Sequence, residues 1–148
     1  QASAEDPSVG AQVLVRGKYV HGTNPVYPNV DWVTFQVTEL WTAQMADGAV
    51  DGTFVMVRDN GRRCIDAPCH SINEARLNST RNADIDGLDW PDAYQKEVTS
   101  PGWLPNQVDA AYENADGVIV IGDRSTGTLM HLPTMLRTVN QVYLQVKS

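Results

Sequence analysis

The most regular feature of the chain is the alternation of apolar and polar side chains in residues 31–41, DWVTFQVTELW. Successive side chains of a β-strand point to opposite faces, so an apolar residue at every second position predicts a strand with one buried face. We therefore predict a half-buried strand here. One side is formed by Val33, Phe35 and Val37, and the other by Trp32, Thr34, Gln36 and Thr38.

Several other stretches have the composition of strands. Strands are predicted at residues 11–20, 53–59, 71–78, 117–123, 126–134 and 140–148. The continuous apolar run of residues 117–123 indicates a strand that is covered on both faces. The loop of residues 60–70 is short, so the strands on either side of it are expected to form an antiparallel hairpin.

The fold class follows from the order of these elements. One or two short helices are predicted between residues 89 and 115, where Asp89, Pro91 and Pro105 are typical of helix starts. We expect a mostly β fold with this small α insertion: an antiparallel β-barrel or sandwich, of which an OB-like fold is one form. Residues 1–8 are expected to be an N-terminal tail, and residues 9–148 a single secreted β-rich domain.

The charge of the chain narrows the range of partners. The 11 Lys and Arg residues against 18 Asp and Glu give a net charge of −7, which repels a nucleic-acid backbone or an anionic membrane. No apolar run approaches the length of a membrane span, so no membrane span is expected.

The start of the chain, QASAEDPSVG, lacks Met and an apolar signal core, as after removal of a signal peptide. A chain trimmed at this point begins in the same way. We expect a secreted or extracytoplasmic protein that binds extracellular proteins or copies of itself.

Both cysteines of the chain lie in one loop, RCIDAPCH, as Cys64 and Cys69. Three interpretations are open: a disulfide, a pair of reduced thiols, or part of a metal site. A metal site needs four ligands, and His70 adds only a third. A redox pair has Cys-x-x-Cys spacing at a helix start, which this loop lacks. The pattern favours a disulfide, which is typical of exported proteins.

A disulfide here would do little to hold the fold together. A closed loop of about six residues contributes only about 2 kcal/mol. It would instead make the loop rigid, and a rigid loop loses less entropy when it binds a partner. The competing interpretation is that the bridge only shapes a wide turn and protects it from proteolysis. The candidate binding residues are Arg63, Ile65, Asp66, Ala67, Pro68 and His70.

A longer stretch resembles a family of secreted bacterial domains of unknown function. The resemblance covers about residues 52–146 and rests on an Arg-Cys-x-x-x-Pro-Cys loop followed by Leu-Asn. The matching positions are Arg63, Cys64, Pro68, Cys69, Leu77, Asn78, Ile85, Leu88 and Asp89. The resemblance implies export and a disulfide, and it brings no catalytic residues.

The sequence contains none of the common catalytic motifs. There is no Gly-x-Ser-x-Gly elbow, no His-Glu-x-x-His and no phosphate-binding loop, so we expect no catalytic residue and no cofactor. GDRSTGT, residues 122–128, is interpreted as a turn, His21 is placed in a loop and His131 in a strand.

Three weaker features remain. Asp84, Asp86 and Asp89 are a weak calcium candidate, against which helix capping and plain solvation stand as alternatives. Asn78 begins a glycosylation sequon, which matters only in a glycosylating host. Trp32 is either a core residue or, exposed with Tyr19 or Tyr27, a platform for sugars or a subunit contact.

Three functions follow from these features. The first hypothesis is a secreted binding module, most concretely an inhibitor of an extracellular protease that acts through the Cys64–Cys69 loop. The alternative is a structural subunit of an extracellular assembly whose N-terminal tail adds a strand to a neighbouring sheet. A small hydrolase is the third and is disfavoured by the missing motifs.

Overall fold

The described part of the chain folds as two β-sheets and one α-helix. The computed structural model describes residues 13–66, 68–95, 102–113, 116–129 and 131–147. Helix α1 spans Leu104–Glu113, and a 3-10 turn spans Asp92–Tyr94. The strands are β1 (Val13–Thr23), β2 (Asp31–Ala43), β3 (Thr53–Asp59), β4 (Ile72–Arg76), β5 (Asn82–Ile85), β6 (Gly87–Asp89), β7 (Val118–Gly122), β8 (Arg124–Leu129), β9 (Leu132–Thr138) and β10 (Gln141–Gln145). The prediction of a mostly β fold with a small α insertion is confirmed.

The larger sheet has seven strands in the order β1-β2-β10-β7-β3-β4-β5, and every neighbouring pair is antiparallel. The smaller sheet has the order β6-β9-β8, with β6 parallel and β8 antiparallel to β9. The described strands do not close into a barrel. Of the two predicted forms, the sandwich-like one therefore fits.

Strand β7 forms the centre of the core. It lies between β10 and β3, and all five of its residues are buried, as its apolar run predicted. Val118 and Val120 face a cluster that includes Leu104 and Val108 of α1. The opposite face carries a second buried cluster, formed by Trp41, Ile119, Ile121 and Tyr143.

Strands β1 and β2 extend beyond this core as a hairpin arm, which we define as residues 13–43. Strand β2 pairs with β10 only from Trp41 to Ala43, and residues 31–38 are exposed on both faces. The predicted strand at residues 31–41 is confirmed, but its predicted half-burial is wrong. Alternation shows which way the side chains point, whereas burial requires a covering layer that the core supplies only near Trp41.

Trp32 and Tyr19, one of the two aromatic pairings considered from the sequence, do not share a face of the arm. Trp32 is 47% exposed, and its indole lies over Gly22, the residue opposite it in β1. Tyr19 packs against its partner Phe35, with ring centroids 5.1 Å apart. Positions 32 and 35 of one strand point to opposite faces. Trp32 and Tyr19 therefore lie on different sides of the arm.

Three local predictions are wrong. His21 lies in β1 rather than in a loop, and His131 lies in the turn between β8 and β9 with φ 67° rather than in a strand. Strand β8 (Arg124–Leu129) begins inside the predicted turn of residues 122–128, and the single strand predicted at residues 126–134 is divided between β8 and β9. The predicted N-terminal tail, residues 1–8, lies outside the described residues. None of the helices in the described ranges has the length and apolar character of a membrane span.

Candidate functional site: the disulfide loop

The cysteine loop connects the ends of β3 and β4, as the sequence predicted. The antiparallel ladder runs to Asp59 opposite Ile72, and the Asn60 N–H then donates to the Ser71 carbonyl at 3.0 Å. Residues 61–70 project beyond this last pair. We call them the disulfide loop.

A disulfide joins Cys64 and Cys69, whose Cα atoms are 5.7 Å apart. The described residues contain no free cysteine. The predicted disulfide is confirmed, and the reduced-pair and metal interpretations are wrong. Because the bridge spans so few residues, it constrains the loop rather than distant parts of the fold.

Arg63 is held against the base of the loop by a two-pronged ion pair. Its Nη1 and Nη2 donate to the two carboxylate oxygens of Asp59 at 3.0 and 2.7 Å. The Gly61 N–H donates to the same carboxylate at 2.9 Å. The hydrogen bond from Arg63, followed by that from Gly61, lowers the pKa of Asp59 to about 2. Asp59 is therefore ionised at neutral pH and pairs with the Arg63 guanidinium.

Asn60 ties the beginning of the loop to its end. Its side-chain Nδ2 donates to the His70 carbonyl at 2.7 Å, and its Oδ1 accepts from the Arg62 N–H at 2.8 Å. Sequence reasoning placed Asn60 only within the loop of residues 60–70 and missed this bridging role. The informative signal was an Asx residue placed directly before the loop, where its side chain can bond the backbone on both sides.

His70 joins the loop to the body of the domain. Its Nδ1 lies 2.7 Å from Oδ1 of Asp86, a carboxylate that is 5% exposed. The other oxygen of Asp86 accepts the backbone N–H of Met135 in β9 at 2.7 Å. His70 and Arg63, both predicted as contact residues, therefore make intramolecular contacts in this structure.

Ile65 is the candidate residue that points away from the domain. Its exposed fraction, 103%, is the highest among the exposed large apolar side chains of the described residues. Asp66 beside it is also exposed, Pro68 is half-buried, and Ala67 lies outside the described residues. A fully exposed Ile at the end of a tethered loop has no packing role in the domain, so it is available to a partner.

The other predicted site residues are dispersed. Asp84 lies on β5, Asp89 lies on β6, and Asp86 between them contacts His70. No three His, Cys, Asp or Glu side chains in the described ranges are grouped to hold a metal ion, so these ranges give the calcium hypothesis no support. Asn78 is exposed in the turn after β4, with φ 57°.

One family comparison matches the chain. A family described as Domain of unknown function (DUF6748) matches residues 1–148. No curated protein and no solved structure matches. The resemblance to a domain family of unknown function is thereby confirmed, while the bacterial origin and export of that family remain predictions.

Proposed function

We propose that this chain, which belongs to the family described as Domain of unknown function (DUF6748), is a secreted binding module. Its most concrete form is an inhibitor of an extracellular protease, with Ile65 as the anchor that enters the partner's pocket. The observation that carries this proposal is the full exposure of Ile65 on a loop tethered by the Cys64–Cys69 bridge. A disulfide also fits an extracellular protein, because cytosolic thiols are kept reduced.

The tethers of the loop support this function energetically. Binding costs entropy for each segment that becomes ordered, and a loop already fixed in shape avoids much of that cost. Here the disulfide, the Arg63–Asp59 pair and the Asn60 hydrogen bonds fix the backbone on both sides of Ile65. The loop is therefore preorganised to present one apolar side chain.

The structure also favours one anchor over another. Arg63 is a natural candidate for a basic-specific protease, but both of its terminal nitrogens are bonded to Asp59. Using Arg63 as the anchor would break that pair. Ile65 has no such cost, so the partner class is a protease with an apolar specificity pocket.

Replacing Ile65 with Ala is expected to weaken protease binding about 30-fold, the effect of losing about 2 kcal/mol at an interface anchor. The thermal midpoint should stay unchanged, because an exposed side chain contributes little to stability. Inhibition constants against secreted serine and metalloproteases with apolar specificity pockets measure the effect.

Val50→Ala is the matched control, because Val50 is 47% exposed and precedes β3, whereas the loop leaves the other end of that strand. It should bind like the wild type. Absence of binding to every protease in the panel, or equal losses in the two variants, would contradict the proposal.

The hairpin arm favours a second function, assembly with copies of itself. Strand β1 ends the order of the large sheet in the described residues, and edge strands are templates for pairing with another chain. A large exposed apolar surface marks an interaction site. The exposed apolar side chains of the arm are Val13, Val15, Tyr19, Val20, Val26, Tyr27, Val30, Trp32, Val33, Phe35, Val37 and Leu40.

If the arm mediates assembly, the sedimentation coefficient of the wild type should rise with protein concentration. Val20→Lys on the edge strand should raise the dissociation constant about tenfold or more, since an unpaired charge at a desolvated contact costs more than about 1.4 kcal/mol. Leu132→Lys, at an exposed position outside the arm, is the control. A monomer at all concentrations would exclude this function.

A further inference from the structure

A cleft with a volume of about 670 Å³ lies between the two sheets, on the opposite side of β3 and β4 from the second core cluster. Its walls come from β3, β4 and the β4–β5 turn on one side and from β8 and β9 on the other. The charged residues that line it are Glu74, Arg76, Arg81, Asp123, Arg124 and Arg137.

The cleft is positively charged in an acidic protein. Four of the chain's 11 basic residues line it, against two carboxylates, while the chain as a whole carries a net charge of −7. Such a concentration of guanidinium groups in a concave site attracts anions locally. The surrounding negative charge still disfavours a long polyanion such as a nucleic acid.

Glu74 fixes two of the arginines. Its two oxygens accept from Arg137 Nε at 2.8 Å and from Arg137 Nη2 at 2.6 Å, and Arg124 Nη2 also donates to it. Burial raises the pKa of Glu74, but the hydrogen bonds from the two arginines outweigh this effect and lower it overall. The single negative charge of Glu74 is thus paired with two guanidinium groups, so these three side chains together carry one net positive charge.

Arg76 and Arg81 provide further charge at the rim. The Arg76 N–H donates to the Arg81 carbonyl at 3.0 Å, and this bond closes the β4–β5 turn with both residues on the cleft. Both are exposed, and neither takes part in any salt bridge found within the described residues. Their guanidinium groups are therefore available to a ligand.

We propose that this cleft binds a small molecule that carries a phosphate or sulfate ester. Guanidinium groups match the paired oxygens of such tetrahedral anions with two parallel hydrogen bonds. Thr53, Thr80 and Asn82 also line the cleft and offer hydroxyl and amide groups to the uncharged part of the ligand. A volume of about 670 Å³ falls within the range of small-molecule sites and exceeds what a free inorganic ion fills.

Isothermal titration calorimetry of the full chain at low salt tests the proposal, with glucose 6-phosphate and glucose 6-sulfate as probes and glucose as the uncharged control. At least one ester should bind, and glucose should not. Binding of one ester alone supports the proposal and identifies the anion. The affinity should fall as NaCl is raised from 50 to 200 mM, because salt screens the guanidinium groups.

The Arg76→Gln, Arg81→Gln double variant should lose at least tenfold in affinity, with an unchanged thermal midpoint because both side chains are exposed. Arg16→Gln on the hairpin arm is the matched control, since Arg16 is exposed and distant in sequence from the cleft, and it should bind like the wild type. Absence of heat with both esters, or equal affinity of the double variant and the wild type, would overturn the assignment.

Discussion

Replacing Arg137 with Met is expected to lower the free energy of unfolding by about 3 kcal/mol, the lower end of the cost of removing one partner of a buried ion pair, because Arg124 still donates to Glu74. Arg137 is 6% exposed and Glu74 is 3% exposed. The guanidinium donates twice to Glu74, and its Nη1 donates to the Gly122 carbonyl at 3.0 Å. The substitution removes all three bonds, two of them to Glu74 and one to the Gly122 carbonyl. Urea unfolding followed by Trp fluorescence measures the loss.

A double substitution separates two effects of Arg137→Met: the loss of an ion-pair partner for Glu74 and the loss of side-chain packing. Glu74→Leu combined with Arg137→Met removes both buried charges, and an apolar replacement of a buried ion pair is often neutral or stabilising. Arg124 then keeps a side chain that is 42% exposed and can be hydrated. The double variant should regain most of the stability lost by Arg137→Met. A single variant within 1 kcal/mol of the wild type would contradict this account.

The same pair makes stability depend on pH in a defined direction. The pKa of Glu74 in the folded protein lies below its ordinary value of 4.5. A carboxyl group with a lowered folded pKa contributes stability that is fully present above the unfolded pKa and is lost as the pH falls through the folded one. The contribution of Glu74 is therefore present at neutral pH and decreases on acidification below about pH 4.5.

The sequence predicted those strands whose environment is encoded locally. Residues 117–123 are apolar without interruption, and β7 is buried between β10 and β3. Residues 31–41 alternate and do form a strand, but their burial depends on how far β10 reaches along β2, which a local pattern does not contain. The start of β8 was predicted as a turn because residues 122–128 are rich in Ser, Thr and Gly, which also occur in turns.

Some features of the candidate site were likewise predictable from the local sequence, and others were not. The disulfide and its position on the β3–β4 hairpin were predictable from the spacing of Cys64 and Cys69 and from the flanking strands. The Arg63–Asp59 pair is only four residues apart, so a local charge search was able to find it. Glu74 and Arg137 are 63 positions apart, and nothing in the sequence connects them. The cleft between the sheets therefore became visible only in the folded chain.

Replacing Gly122 with Ala is expected to lower the free energy of unfolding by about 3 kcal/mol or more, the upper range for forcing an extra carbon into a packed interior. A Cβ atom on Gly122 would lie only 1.8 Å from the Thr138 carbonyl oxygen. That oxygen belongs to the backbone at the end of β9, so no side-chain rotation relieves the contact. The two sheets meet at this point, where the Thr138 N–H donates to the Asp123 carbonyl at 2.8 Å.

Gly87→Ala is the control that distinguishes this clash from a general effect of glycine in a strand. A Cβ atom on Gly87 would meet its nearest neighbour, a methyl carbon of Leu136, at 3.5 Å, which is an ordinary van der Waals contact. This variant should match the wild type or gain up to about 1 kcal/mol, because Ala restricts the unfolded chain more than Gly does. Urea unfolding compares the two variants. If Gly122→Ala and Gly87→Ala had equal free energies of unfolding, the backbone near Thr138 would be able to move away at no cost. The close approach of Gly122 to Thr138 would then contribute nothing to stability.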